Sequence, residues 1–188
     1  YLVEAPSTLN EMLLTGYLIE ESKDEKFKKW ALSCMIENTY YHNFVTHLLE
    51  ADYQRKVYKL VDSGESVNAY ILCDLMEETY RDFFGQDIDL TGAKYTWMRQ
   101  PHYYMGLYPY TYSAGLTIGT AIANQIEENP EHAKVWLDTL SKGGSMSAKD
   151  LAIHAGCDVS TDEPLKQAIA YVGHLVDQLE SLTAELKA

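Results

Sequence analysis

The chain has 188 residues, 46% of them hydrophobic, which is enough for one domain with a real core. A formal net charge of -13 and a pI near 4.8 argue against a nucleic-acid-binding protein, which would carry a basic face, and against adsorption to anionic membranes. No apolar run approaches the ~20 residues a membrane helix needs, and the widely spaced Cys34, Cys73 and Cys157 point to reduced thiols and a cytoplasmic protein.

In chain order the elements read as all-α. A first helix spans 6–21. At its head stands Val3-Glu4-Ala5-Pro6-Ser7-Thr8-Leu9-Asn10-Glu11. Glu4 and Glu11 are two helical turns apart and project from nearly the same face. Pro6 suits the first turn, and Ser7 and Thr8 suit the same end. Spacing alone favours a solvated helix start whose acids complement the dipole, since Glu is common in a first turn. A turn at 22–24 opens a long helix over 24–61, with apolar Phe27, Trp30, Leu32, Cys34, Met35, Phe44, Val45, Leu48 and Leu49 at three- and four-residue steps. Asp62-Ser63-Gly64 stops it. His42 and His47 lie within it, five apart, a spacing that turns them to different faces of an α-helix. They are expected to be polar-face or hydrogen-bonded residues.

A third helix spans 66–84 and ends at Gly85. Residues 86–108 are loop-rich, with Gly92, Pro101 and Gly106. Asp87-Ile88-Asp89 lacks the Gly and the terminal Glu of a calcium loop, and Arg99 is expected in a structural ion pair. A fourth helix, 109–128, carries Gly115 and Gly119 at i, i+4, small residues that permit close helix packing. Pro130 opens a fifth, to 141, broken by Gly143-Gly144-Ser145. A short helix over 148–155 ends at Gly156. The last, 162–186, carries Leu165, Ile169, Val172, Val176, Leu179, Leu182 and Leu186 as a stripe that is core-facing or a docking face. No internal repeat, low-complexity tract or linker interrupts the chain.

A second constellation lies in Gln100-Pro101-His102-Tyr103-Tyr104-Met105-Gly106-Leu107-Tyr108-Pro109-Tyr110-Thr111-Tyr112. Fifteen Tyr against four Phe mark the whole chain, and five of those Tyr fall here beside His102. Phenol O–H and imidazole N–H are neutral donors that can stabilise an oxyanion without adding a competing nucleophile. An aromatic loop can equally plug the end of a core.

Glu4-Ala5-Pro6-Ser7 followed by Glu11 resembles the third-ligand helix of the thimet oligopeptidase and oligoendopeptidase F family of zinc peptidases. The segment from His102 to Tyr112 is similar to that family's His/Tyr-rich loop, with an interval closer to the oligoendopeptidase F branch. The resemblance extends through Gly143-Gly144-Ser145 and Ala155-Gly156-Cys157-Asp158 to the last helix. It implies a zinc-dependent metalloendopeptidase that hydrolyses short oligopeptides. Glu4 would be a zinc ligand and Glu11 a carboxylate that orients a ligating His. His102 would contact the substrate or transition state. Tyr108 and Tyr110 are the candidates for the oxyanion-stabilising phenol, and Tyr104 is a lesser substrate-binding candidate.

The family's His-Glu-x-x-His is absent. None of His42, His47, His102, His132, His154 and His174 pairs with another at i, i+4. The expectation is therefore that 1–188 is the C-terminal helical part of the peptidase catalytic domain, with the zinc helix upstream of Tyr1. Alone it should be inactive and hold zinc weakly or not at all. Its partners would be short peptides and the missing N-terminal part of the same enzyme, with no nucleic acid and no membrane. The alternative is a non-enzymatic helical module that binds a peptide or protein through the tyrosine loop and the last helix. Only the enzyme reading requires Glu4, Glu11, His102 and Tyr108 or Tyr110 to converge on one cleft.

Overall fold

Residues 25–62 form one continuous rod, but its middle is not α-helical. In the computed structural model, which describes residues 2–187, α2 (Glu25–Cys34) runs into a π-helical segment (Met35–Thr46) and then into α3 (His47–Asp62). A π-helix bonds i to i+5 and is mostly confined to single turns near functional sites. Two side chains here occupy carbonyls that an α-helix would use: Asn43 Nδ2 donates to the Thr39 carbonyl at 2.6 Å, and Ser113 Oγ donates to the Asn43 carbonyl at 2.6 Å. Such local competition loosens the i to i+4 ladder.

The other elements follow the expected order: α1 (Ala5–Glu21), α4 (Ala69–Phe84), α5 (Tyr110–Glu128), α6 (His132–Ser141), α7 (Ala148–His154) and α8 (Glu163–Glu185). Two 3₁₀ turns, Ala93–Met98 and Pro101–Tyr104, shape the loop between α4 and α5. Among the described residues there is no β-strand. None of their helices is long and apolar enough to cross a membrane. Asp24 caps α2 by accepting from the Lys26 and Phe27 amides, and Asn68 does the same for α4 through Tyr70 and Ile71. Gly85, at φ 90°, ends α4 in a conformation that costs glycine little.

Helix α5 is the central element. Gly115, Leu116, Ile118, Gly119, Thr120, Ala121, Ile122 and Ala123 along it are all buried, and it packs on α1, α3, α6, α8 and the π segment. The last helix differs in detail from the stripe read off the sequence. Its buried positions are Pro164, Ala168, Leu175 and Leu182, while Leu165, Ile169 and Val176 remain exposed. A smaller cluster of Tyr53, Met76 and Tyr103 joins α3, α4 and the tyrosine loop. Lys56 of α3 ties α4 alongside through Glu78 at 3.0 Å and Asp82 at 2.8 Å.

Candidate active site

Glu4 sits at the N-cap of α1, where its backbone still turns as helix. Ser7 and Thr8 do not cap the helix as expected; they bond back to Glu4. Thr8 Oγ1 donates to the Glu4 carbonyl at 2.9 Å, and Ser7 Oγ lies 2.9 Å from Glu4 Oε2. The reason α1 can approach so closely is the glycine pair on α5. A Cβ on Gly115 would stand 2.7 Å from the Glu4 carbonyl carbon and 2.8 Å from the Ala5 nitrogen. One on Gly119 would stand 3.0 Å from Thr8 Oγ1. The small residues are therefore a packing device that presses Glu4 against the start of α5.

The tyrosine loop is brought to the same place from the other side. The Gln54 amide nitrogen, buried on α3, donates to the Tyr103 carbonyl at 2.9 Å and the His102 carbonyl at 3.4 Å. Gly106 and Leu107 then take φ values of 49° and 58°. A left-handed leucine costs about 1–2 kcal/mol, and such strain persists where surrounding structure imposes it. The turn delivers the Tyr108 hydroxyl to Glu4 Oε1, to which it donates. His102 stacks on Tyr108 with ring centroids 5.2 Å apart, and Tyr112 packs edge-on to Tyr108 at 5.6 Å. The Tyr112 hydroxyl is 3.4 Å from His102 Nε2.

Two buried groups on α3 complete the cluster. His47 stacks on Tyr112 at 3.9 Å with an interplanar angle of 15°. Its Nδ1 is 2.7 Å from Glu50 Oε2. Gln100 bridges Glu50 and His102, its amide nitrogen 3.2 Å from Glu50 Oε1 and 3.2 Å from His102 Nδ1. His42 also joins, its ring 4.3 Å from that of His47. This corrects the expectation that the two histidines face apart. The His47 amide bonds to the His42 carbonyl, one residue beyond α-helical reach, so the π turn aligns a five-residue spacing.

The electrostatics keep the phenols neutral. Tyr108 is raised well above the ordinary phenol value, first because ionising it would lose its hydrogen bond to the Glu4 carboxylate, then by burial. Tyr112 is raised by burial and then by Glu4. His42 is lowered by burial and by His47, against the opposing pull of Glu50 and Glu11.

The predicted residues divide. Glu4 and His102 meet through Tyr108, which donates to the carboxylate and stacks on the imidazole. Glu11 is exposed on α1, accepts from Thr39 Oγ1 at 3.0 Å, and acts electrostatically on His42 at the edge of the cluster. Tyr110 lines an apolar groove of about 610 Å³ with Phe44, Leu48, Phe83 and Leu107. Tyr104 is 70% exposed and borders a separate cavity of about 340 Å³ with Tyr53, Tyr58 and Trp97. The sequence reading missed Tyr112, His47, Glu50 and Gln100. Tyr112 was within the marked segment, and His47-x-x-Glu50 is a visible i, i+3 pair.

Two groups are candidates to hold a metal. Glu4 offers a half-buried carboxylate beside neutral donors. His47, Glu50 and His102 place one ligand atom each within 4.8 Å of one another, but hydrogen bonds already link these three through Gln100.

These features describe an all-α protein in which a half-buried carboxylate, neutral phenols and an imidazole are gathered into one cluster. The chain belongs to peptidase family M3, whose sequence profile matches residues 1–171. It is 26% identical over 189 residues to oligopeptidase PepF of Bacillus subtilis (strain 168), a match that covers 100% of this chain and 28% of that protein. It is 27% identical over 191 residues to group B oligopeptidase PepB of Streptococcus agalactiae serotype III (strain NEM316), covering 98% of this chain and 31% of that protein. The crystal structure of oligoendopeptidase-F from Enterococcus faecium superposes with a TM-score of 0.83 over 98% of this chain and 36% of its own, at 24% identity, a likeness of fold. The chain thus spans less than a third of these two curated relatives.

Proposed function

We propose that residues 1–188 are the C-terminal helical part of the catalytic domain of a zinc-dependent oligoendopeptidase acting on short peptides. The observation that carries this reading is the meeting of Glu4 with Tyr108 and His102, from a helix N-terminus and a loop about a hundred residues apart in sequence. An interaction module has no need for that convergence.

Glu4 fits one corner of a zinc site. It is a half-buried carboxylate whose two oxygens are oriented by Ser7 and Tyr108, and its neighbours add no competing positive charge. The remaining ligands and the general base would come from a His-Glu-x-x-His segment outside this sequence. Zinc, when bound, supplies Lewis-acid charge and makes water a nucleophile near neutral pH. This chain's own residues do the rest. Tyr108 has a single O–H, which donates to Glu4 Oε1 here; with the carboxylate taken up by the metal, that O–H would turn to donate to the oxygen that gains charge as the peptide carbonyl is attacked. His102 grips the substrate backbone. Tyr112 packs against the His102 ring at a tilt and against Tyr108 edge-on, and His47 holds Tyr112 in place by stacking on it. The relatives' names specify oligopeptidases, which supports short peptides as substrates. The three free cysteines, one buried and two half-buried, support a reducing, cytoplasmic setting as part of the same proposal.

The test compares the 188-residue chain with the longer protein that includes the upstream segment. The longer protein should bind one zinc and cleave short peptides, and the chain alone should do neither. Peptide hydrolysis by the purified 188-residue chain would overturn the reading.

A further inference from the structure

Behind His102 the fold buries a carboxylate that the proposed reaction does not use, paired with the His47 imidazole. Glu50 and His47 are each 4% exposed. Glu50 is approached from two sides, by His47 Nδ1 at 2.7 Å and by the Gln100 amide nitrogen at 3.2 and 3.4 Å from its two oxygens. Which end of an amide faces a neighbour is decided by the hydrogen bonds available. A carboxylate only accepts, so the nitrogen end of Gln100 faces Glu50. That nitrogen carries a second hydrogen, and it lies 3.2 Å from His102 Nδ1. His102 Nδ1 must then be the bare, accepting nitrogen. In a neutral ring the proton is left on Nε2, the atom 3.4 Å from the Tyr112 hydroxyl.

We infer that Glu50 and Gln100 are positioning residues that lock the proton of His102 on Nε2, so that the ring presents an N–H donor to the cleft it shares with Tyr108 and Tyr112. His47 supports them by donating to Glu50 and by stacking on Tyr112. The opposite tautomer would present a lone pair there, which repels a developing oxyanion and any substrate carbonyl. The consequence for turnover rests on the peptidase reading; the position of the proton does not.

The experiment is nitrogen NMR on the 188-residue chain with ¹⁵N-labelled histidine, at a pH where the rings are neutral. The wild type should show a protonated Nε2 and a bare Nδ1 at His102. Gln100→Leu removes both amide hydrogens at similar volume, and Glu50→Gln replaces one of the two accepting oxygens by a donating NH2, against which the Gln100 amide can turn over. Each should convert the single tautomer into a mixture. If Glu50→Gln does not fold, Gln100→Leu carries the test, because Gln100 is a half-buried loop residue. In the longer enzyme Gln100→Leu should lower kcat/KM about 10–100-fold, the usual scale for groups that orient a functional imidazole, with the loss divided between kcat and KM as for the His102 contact it orients. A proton on Nδ1 in the wild type, or an unchanged tautomer in the folded Gln100→Leu variant, would overturn the inference. The expected tautomers in a longer protein that cleaves no peptide would uphold it and sink the peptidase reading instead.

Discussion

Gly115 touches Glu4. The position a Cβ would occupy on residue 115 is 2.7 Å from the Glu4 carbonyl carbon, so the location of the carboxylate is set by the absence of a side chain on another helix. An exposed Gly→Ala in a helix interior gains about 0.5–1 kcal/mol. Here overpacking, worth about 1–3 kcal/mol, opposes that gain. Gly115→Ala should therefore lower thermal stability, and in the longer enzyme it should weaken zinc binding without altering any ligand. Gly119→Ala meets a side-chain oxygen first, at 3.0 Å, and should be milder on both counts. Differential scanning calorimetry and metal analysis read the two effects.

The tyrosines should separate in kinetics. Tyr108 donates to Glu4, while Tyr110 lines the apolar groove. In the longer enzyme Tyr108→Phe should cost on the order of 10²–10³ in kcat, the scale for losing one oxyanion donor. Because Tyr108 also orients Glu4, zinc affinity should fall by no more than about 10–100-fold, the cost of losing an outer partner of a ligand. Tyr110→Phe should cost less in kcat than Tyr108→Phe. His102→Ala should divide its cost between kcat and KM. Steady-state kinetics with a short quenched-fluorescence peptide decides among them.

The cysteines report on the fold itself. Cys157 is 1% exposed and packs in the main core. Burial pushes its thiol up to about 11, so thiolate is scarce at neutral pH. Cys34 and Cys73 are half-buried. A thiol reagent should modify Cys157 last, at a rate that follows global unfolding. Modification of Cys157 as fast as the other two in native buffer would show that the packing of residues 152–157 against α5 is wrong.

Much of this architecture was legible because helices announce themselves by period and by their stops. The ends at Gly64, Gly85, Gly143 and Gly156 fall where the chain turns left-handed. The Gly115–Gly119 pair was legible as a packing device, though not as the device that seats Glu4. What escaped was whatever depends on departures from the α period. Five residues do not align on an α-helix, so an α period places His42 and His47 on different faces; the π segment brings their rings to 4.3 Å. The stripe on α8 was drawn through its large residues, but the buried line runs through Ala168, Leu175 and Leu182. Tyr108 and Tyr110 could not be separated in sequence, because the left-handed Gly106–Leu107 turn decides which phenol faces Glu4.

The most direct test of the account is the zinc content and peptide turnover of the longer enzyme carrying Glu4→Ala, measured beside Glu11→Ala. Glu4→Ala removes the carboxylate that Tyr108 and Ser7 orient. It should strip the purified protein of zinc and abolish hydrolysis. Glu11→Ala, held by Thr39 at the edge of the cluster, should cost about 10–100-fold in affinity, as outer partners of a ligand do. Full zinc occupancy and unchanged turnover in Glu4→Ala would contradict the assignment of this cleft as a metallopeptidase site.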